Sequence, residues 1–213
     1  DDTLRSCERT IAVTIVRKSC PMVQAKSSPQ TFDAYLLQCQ DMEARHELTN
    51  GELIAMPPES DENVIIARAM DRRVLSQLVG FRRVRTHQLA LEMPGQPKNR
   101  FPDITVLLSE HLEQLKVSGQ SAICLDMHPP MLVVEVVSPG VDNHRRDYID
   151  KRNQYEWRSI PEYWIVDPIK QQVTVLSLTT DGYQEMLFVD DELVLSQAFP
   201  GWTLTAAEMV STY

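Results

Sequence analysis

Hydrophobic and polar residues follow two kinds of pattern along the chain, and each pattern predicts its own kind of element. In some segments the apolar residues recur every three or four positions, which is the spacing of one helix face. The predicted helices cover 32–42, the segment between Ser60 and Gly80, and 142–158. Ser60 is a favoured residue at a helix start and Gly80 at a helix end, so the middle helix has a signal on each side.

Short apolar runs between turn residues predict the strands. They cover 81–93, 100–108, 131–137, 162–166, 172–178 and 183–189, with a further short strand at 192–195. Asn50-Gly51 predicts a tight turn in a hairpin at 46–56, and Asp181-Gly182 predicts another between the last two long strands. Residues 109–128 are irregular apart from a short helix at 109–116, and a last short helix is expected at 205–210.

These elements predict an α+β fold in which helices flank a mixed β-sheet. The chain has 213 residues, of which 43% are hydrophobic, and this is ordinary for a single domain, expected here at 29–213. Residues 1–28 are expected to be a leader that is disordered or not native, with Met22 as a start. No apolar run approaches the roughly 18–20 residues of a membrane span, so no membrane partner is expected.

The predicted strand 131–137 carries one charged residue, Glu135, in the middle of an apolar run. An ionised carboxylate in an apolar setting costs several kcal/mol unless a metal ion or a basic side chain compensates it. A functional role for Glu135 is one interpretation. A simpler one is a buried carboxylate neutralised by an arginine, for instance from the cluster at 82–85.

Two residues on neighbouring elements are candidate partners of Glu135. Asp103 follows Pro102 at the start of the preceding predicted strand, and Lys151 lies on the predicted helix after Glu135. Two carboxylates on neighbouring strands supply the hard oxygen ligands that Mg²⁺ prefers. A bound metal polarises a phosphoryl oxygen and acidifies a water, while a lysine orients that water and stabilises the developing charge. This set therefore predicts metal-assisted hydrolysis of phosphodiester bonds, with Asp103 and Glu135 as metal ligands.

Asp103 and Lys151 also have simpler interpretations. Asp103 fits a Pro-Asp turn that caps a backbone amide, and Lys151 fits an exposed helix residue paired with Asp147 four positions earlier. Asp147 itself is predicted as a supporting partner or as part of a helix ion pair. Glu47 and Glu62 are further acidic candidates outside the predicted set.

Phe101-Pro-Asp103 followed by Val134-Glu135-Val-Val137 resembles the Pro-Asp…Glu-x-Lys pattern of the restriction-endonuclease-like, PD-(D/E)XK superfamily. The chain departs from that pattern at Val137, where the lysine is usual. Some branches of the superfamily take the lysine from the following helix, and Lys151 fits that position. The resemblance therefore implies Asp103, Glu135 and Lys151 as catalytic residues.

A closer resemblance covers roughly 29–213 and rests on several ordered motifs. They are ELTNGELIAMPPES (47–60), FPDI (101–104), VVEVVSP (133–139), the spaced Asp147, Lys151 and Tyr155, IPEYWIVDP (160–168) and FPGW (199–202). Together they resemble the Uma-two family, which is abundant in cyanobacteria and regarded as a family of endonucleases. The resemblance implies a restriction-endonuclease-like core and an endonuclease that uses Mg²⁺ or Mn²⁺. Because double-strand cleavage by such small domains needs two sites, it also implies a homodimer.

Charge and cysteine content narrow the functional classes. The net charge of −9 argues against a protein that coats nucleic acid by bulk electrostatics, although basic clusters such as 82–85 allow a local basic face. The four cysteines form no metal-binding or paired spacing, which predicts reduced thiols in the cytoplasm. The main prediction is an endonuclease acting on DNA, with RNA as an open alternative. The other class is an inactive binding or regulatory module that keeps the nuclease fold.

Overall fold

The structure, a computed structural model, describes residues 31–40 and 42–211. The predicted leader at 1–28 therefore lies outside the described residues. The elements in chain order are α1 (Phe32–Cys39), β1 (His46–Thr49), β2 (Glu52–Ala55), α2 (61–79), β3 (Val84–Thr86), β4 (Ala90–Glu92), β5 (Asn99–Arg100), β6 (Ile104–Val106), α3 (Ser109–Ser118), β7 (Ala122–Ile123), β8 (Leu132–Val136), α4 (141–157), β9 (Glu162–Asp167), β10 (Gln172–Thr179), β11 (Gly182–Val189) and α5 (Ala206–Val210).

A mixed sheet of six strands forms the centre, in the order β11-β10-β9-β8-β6-β3. β8 and β9 are parallel, and the other neighbouring pairs are antiparallel. A parallel pair needs a crossover connection, and α4 provides it between β8 and β9. The hairpin β1–β2 and a three-stranded sheet, β5-β4-β7, lie outside the main sheet. The predicted α+β fold with a mixed sheet flanked by helices is confirmed.

The two long helices each contain a π-helical turn. α2 is α-helical over Asp61–Met70, π-helical over Asp71–Leu75 and α-helical again over Ser76–Val79. α4 has its π-helical turn at Arg146–Lys151, in the middle of the helix. Such turns are rare, and they are frequent at functional sites.

Two predicted strands, 81–93 and 100–108, were wrong as single elements. Residues of 81–93 form a 3₁₀ turn (Phe81–Arg83) and then β3 and β4, which belong to different sheets. His87 has a φ of 56°, a left-handed conformation that ends β3. The segment 100–108 divides into β5 and β6 because Pro102 has no N–H with which to continue a ladder.

Smaller differences concern the ends of elements. The first helix stops at Cys39 rather than at 42, and α3 continues to Ser118. Thr179 pairs with Gly182, so the last hairpin turns at 180–181, one residue earlier than predicted. The short strand expected at 192–195 is a single bridge from Leu193 to Thr205.

The core has a layer on each face of the main sheet. Alternate side chains of a strand point to opposite faces. Leu132, Val134 and Val136 accordingly pack with α2 and α5, whereas Val133 and Val137 pack with Tyr155 of α4 and with Tyr163. Glu135 lies between Val133 and Val137 in this alternation and so faces α4. Among the described residues no helix is long and apolar enough to cross a membrane.

Candidate active site

Glu135 is buried in the central strand β8 with only 2% of its surface exposed, and both of its carboxylate oxygens have partners. The Tyr155 hydroxyl donates to Oε1 at 2.5 Å. The Nζ atom of Lys151 lies 2.8 Å from Oε2. Lys151 and Tyr155 are four residues apart on one face of α4. The buried charge is therefore compensated by this helix, and not by an arginine of the cluster at 82–85.

Lys151 is buried as well, at the end of the π-helical turn of α4. Its Nζ atom lies 2.8 Å from Asp147 Oδ1, in addition to its contact with Glu135. The lysine thus bridges two carboxylates, and its interpretation as an exposed helix residue was wrong although the Asp147 pair exists. Val137, at the position where the superfamily pattern has a lysine, packs in the apolar layer beneath α4.

Asp103 lies in the bend between β5 and β6 and is almost fully buried. Its Oδ2 atom accepts a hydrogen bond of 2.6 Å from the backbone N–H of Val136, the residue after Glu135. Its Oδ1 atom lies 3.1 Å from Nδ1 of His87. The aspartate therefore does cap a backbone amide, as its simpler interpretation predicted, and the amide belongs to the strand of Glu135.

Asp103, Glu135 and Lys151 line one cleft of about 270 Å³. The other polar side chains that line it are Glu47, Glu59, Ser60, Ser138, Asn143 and Arg146. Arg100 lies 3.1 Å from Glu47, and Arg45 lies 2.9 Å from Glu59, so each of these carboxylates has its own cation. Of the two further acidic candidates, Glu47 thus lines the cleft, whereas Glu62 is exposed on α2 and does not.

Burial and neighbouring charges shift the proton affinities of the site. Burial raises the pKa of the Glu135 carboxyl to about 7; Lys151 opposes this shift, and Asp103 and Asp147 add to it. Burial pulls the pKa of Lys151 down, but Glu135 and Asp147 outweigh it and hold this pKa above the ordinary 10.5. As at Glu135, burial raises the pKa of Tyr155, here far above its usual value, so the Tyr155 hydroxyl remains a hydrogen-bond donor.

Asp103 and Glu135 both carry oxygen ligands of the kind that a hard divalent cation prefers. Asp103 and Glu135 supply carboxylate oxygens from adjacent parts of the sheet, and Oδ2 of the nearby Asp147 is buried without a hydrogen-bond partner among the described residues. The mutual repulsion of these carboxylates is what a cation relieves. The Val136 carbonyl, a further ligand in principle, accepts a 3.0 Å hydrogen bond from the Asn63 side chain.

Sequence reasoning missed two residues of this region. Tyr155 had a signal, since it follows Lys151 by four positions on the same helix, but no role was predicted for its hydroxyl. No role was predicted for His87. It has no sequence signal because its position depends on the break between β3 and β4.

Comparisons with known proteins bear on the fold and on the family of the chain. The chain is similar to the crystal structure of "a putative nuclease belonging to DUF820" from Anabaena variabilis ATCC 29413, with a TM-score of 0.60, 18% identity, and coverage of 86% of this chain and 99% of that chain. The chain accordingly shares the α+β fold of that protein. The chain belongs to the Uma2 family, described as "Putative restriction endonuclease", whose family model matches residues 32–207. No curated protein matches the chain.

Proposed function

We propose that the chain is a metal-dependent endonuclease that hydrolyses phosphodiester bonds in DNA. The observation that carries the proposal is the 2.8 Å contact between Lys151 Nζ and Glu135 Oε2, in a cleft that Asp103 also lines. Asp103 comes from the bend between β5 and β6, Glu135 from β8 and Lys151 from α4. The three residues follow one another along the chain in the order Asp, Glu, Lys of the superfamily pattern. Membership of the Uma2 family supports the same reaction class.

In this proposal Asp103 and Glu135 hold the metal, which is Mg²⁺ or Mn²⁺. When bound, the metal supplies charge neutralisation at the phosphate and a more acidic water. The Lys151 ammonium donates a hydrogen bond to the attacking water and stabilises negative charge that develops on the phosphoryl oxygens. Asp147 and Tyr155 position Lys151 and Glu135, because each contacts one of them directly.

The proposed substrate is DNA, and the proposed assembly is a cytoplasmic homodimer that presents two sites. Phe199 and Trp202, near the end of the chain, pack in the core and offer no surface to a partner copy. The exposed apolar residues of β11 and of the segment after it are better suited to an interface. They include Leu187, Leu193 and Leu195.

Cleavage of supercoiled plasmid in the presence of Mg²⁺ or Mn²⁺ tests the proposal. Wild-type protein is expected to nick or linearise the plasmid, and Glu135→Ala is expected to abolish the activity. Glu113→Ala is the matched control, because Glu113 is an exposed glutamate that pairs with Lys116 at 3.7 Å. Equal cleavage by wild type and Glu135→Ala would assign the activity to a contaminant. The same assay on single-stranded RNA separates the two substrate classes.

A second function is favoured by one observation of the site. Both oxygens of Glu135 are already engaged, by Tyr155 and by Lys151, as expected of a structural network in a binding module that has lost its chemistry. Calorimetric titration with Mg²⁺ and Mn²⁺ discriminates between the two functions. For Mg²⁺, the module predicts no binding and no difference between wild type and Asp103→Ala, whereas the nuclease predicts Mg²⁺ binding that Asp103→Ala weakens.

A further inference from the structure

Beside the cleft lies a group of three potential metal ligands, of which the proposed reaction uses only Asp103. Glu59, His87 and Asp103 each offer one ligand atom, and these atoms all lie within 4.8 Å of one another. Glu59 comes from the segment between β2 and α2, and His87 comes from the bend that ends β3. We propose that this group is a second cation site, selective for a transition-metal ion such as Mn²⁺ or Zn²⁺ over Mg²⁺.

The imidazole of His87 is the first observation that supports the site. Both of its ring nitrogens are buried, and neither makes a hydrogen bond with the described residues. The side chain is only 13% exposed. A buried polar nitrogen without a partner costs about 1–3 kcal/mol, and a bound ion removes that cost. The nitrogen Nδ1 and Asp103 Oδ1 are close, at 3.1 Å, but they are not aligned as a hydrogen bond.

The distance between His87 Nδ1 and Asp103 Oδ1 is the second observation that supports the site. Two ligand atoms bound at about 2.1 Å and at right angles to one octahedral ion lie about 3.0 Å apart. The 3.1 Å between Nδ1 of His87 and Oδ1 of Asp103 matches that spacing. The opposite oxygen of Asp103, Oδ2, is fixed by the Val136 amide, so Oδ1 is held towards the imidazole.

Arg45 holds the His87 backbone and the Glu59 side chain of this group in place. Its guanidinium donates one hydrogen bond to the backbone oxygen of His87, at 2.8 Å, and another to Oε1 of Glu59, at 2.9 Å. It therefore fixes the left-handed bend at His87 and orients the Glu59 carboxylate, with Oε2 left for an ion. Its positive charge also opposes a cation, which makes the imidazole and Asp103 the stronger ligands of the three.

The chemistry of these ligands sets the metal preference. Imidazole nitrogen favours borderline transition metals, whereas sites made only of oxygen ligands suit Mg²⁺. An ion can reach the group from outside, because Glu59 and His87 also line a separate cleft of about 620 Å³. The site shares Asp103 with the proposed reaction but excludes Glu135 and Lys151. The inference does not rest on nuclease activity, since its test uses no nucleic acid.

Electron paramagnetic resonance with Mn²⁺ tests the site. One equivalent of Mn²⁺ is added to the full chain, and electron spin-echo envelope modulation detects a coordinated imidazole nitrogen. Wild-type protein is expected to show ¹⁴N modulation, and His87→Asn is expected to lose it; asparagine tolerates the left-handed backbone at this position. Excess Mg²⁺ is expected to leave the modulation in place.

Two control variants separate this site from others. His128→Asn is the matched control, because His128 also contacts a carboxylate, that of Glu110 at 2.6 Å, but on the surface. His128→Asn is expected to keep the modulation. Glu135→Gln, which changes a metal ligand of the proposed nuclease site, is expected to keep it as well. Glu59→Gln is expected to weaken Mn²⁺ binding by about tenfold or more.

The inference is overturned if wild-type protein binds no Mn²⁺, or binds it without nitrogen modulation. It is also overturned if folded His87→Asn retains the modulation, or if Glu135→Gln alone abolishes it. Because a wild-type spectrum without nitrogen modulation overturns the inference by itself, the inference stays falsifiable even where His87→Asn does not fold. Failure of plasmid cleavage has no bearing on this result.

Discussion

At the scale of single residues, Glu135 combines deep burial with a full set of partners. Its carboxyl group accepts from a tyrosine hydroxyl on one oxygen and contacts an ammonium on the other. Burial nevertheless dominates and raises its pKa from 4.5 to about 7. The folded protein therefore binds a proton at Glu135 over a pH range in which the unfolded chain has released it.

This shift predicts a pH dependence of stability. Below pH 4.5 Glu135 is protonated in both states; between 4.5 and 7 only the folded state keeps the proton, so rising pH favours unfolding. The free energy of unfolding of wild type, relative to Glu135→Gln, is expected to fall by about 3 kcal/mol over this interval and to level off above it. Urea denaturation at several pH values measures the difference, and a pH-independent difference contradicts the shift.

The Tyr155 hydroxyl gives a second residue-scale prediction. At pH 8, Tyr155→Phe is expected to destabilise the protein by about 1.5–3 kcal/mol, because it removes a hydrogen bond to a charged acceptor. Tyr183→Phe is the matched control, since the Tyr183 hydroxyl donates to the neutral backbone oxygen of Ile160 at 2.8 Å. Its expected cost is about 0.5–1.5 kcal/mol. Denaturation curves of both variants measure the contrast, and equal costs contradict it.

The candidate site could be predicted only in part. Glu135 is conspicuous because a charge in an apolar run needs a partner. Lys151 could be identified because this chain has Val137 where the superfamily pattern has its lysine, and some branches of the superfamily take the lysine from the following helix. The hydroxyl of Tyr155 and the imidazole of His87 could not be identified in this way. Their roles depend on side-chain directions that arise only when α4 and the bend after β3 pack against the sheet.

At the scale of elements, the end of β8 is connected to the start of α2. The buried Asn63 side chain donates to the Val136 carbonyl at 3.0 Å and to the Ser138 hydroxyl at 2.9 Å. Ser60 caps the same helix by accepting from the Asn63 N–H at 3.1 Å. These bonds hold the helix start against the strand end that carries Glu135.

Asn63→Ala is therefore expected to destabilise the protein by about 1–3 kcal/mol, since it leaves the Val136 carbonyl buried without this donor. Ser60→Ala, which removes only the cap, is expected to cost about 1 kcal/mol. Thermal or urea unfolding measures both. A cost for Asn63→Ala no larger than that of Ser60→Ala contradicts the proposed connection.

Elements in which the apolar residues keep one spacing along the whole length were predicted well. Segments that a bend or a proline divides between two strands were not. α2 and α4 have long apolar faces and clear ends, and the Asn50-Gly51 turn fixed the first hairpin. The segment 81–93 reads as one run, but the left-handed conformation of His87 divides it between two sheets. Local preference does not determine that bend, because its contacts come from Arg45 and Asp103, which are distant in sequence.

At the scale of the whole molecule, the single domain and its leader remain predictions. A chain that starts at residue 29 is expected to unfold in one cooperative transition with the same midpoint as the full chain. Circular dichroism during thermal unfolding measures both chains. A second transition, or a midpoint lowered by several degrees in the shorter chain, contradicts the assignment of 1–28 to a leader outside the fold.

The central claim is that Lys151, supplied by α4, acts with Asp103 and Glu135 on a phosphodiester bond. Single-turnover DNA cleavage by Lys151→Arg tests it most directly, because this variant keeps a positive charge between Glu135 and Asp147. The planar guanidinium does not replace a compact ammonium that positions water, so the rate is expected to fall by about a hundredfold. Lys116→Arg, at a lysine that is 71% exposed, is expected to cleave at the wild-type rate. Wild-type cleavage by Lys151→Arg would contradict the account.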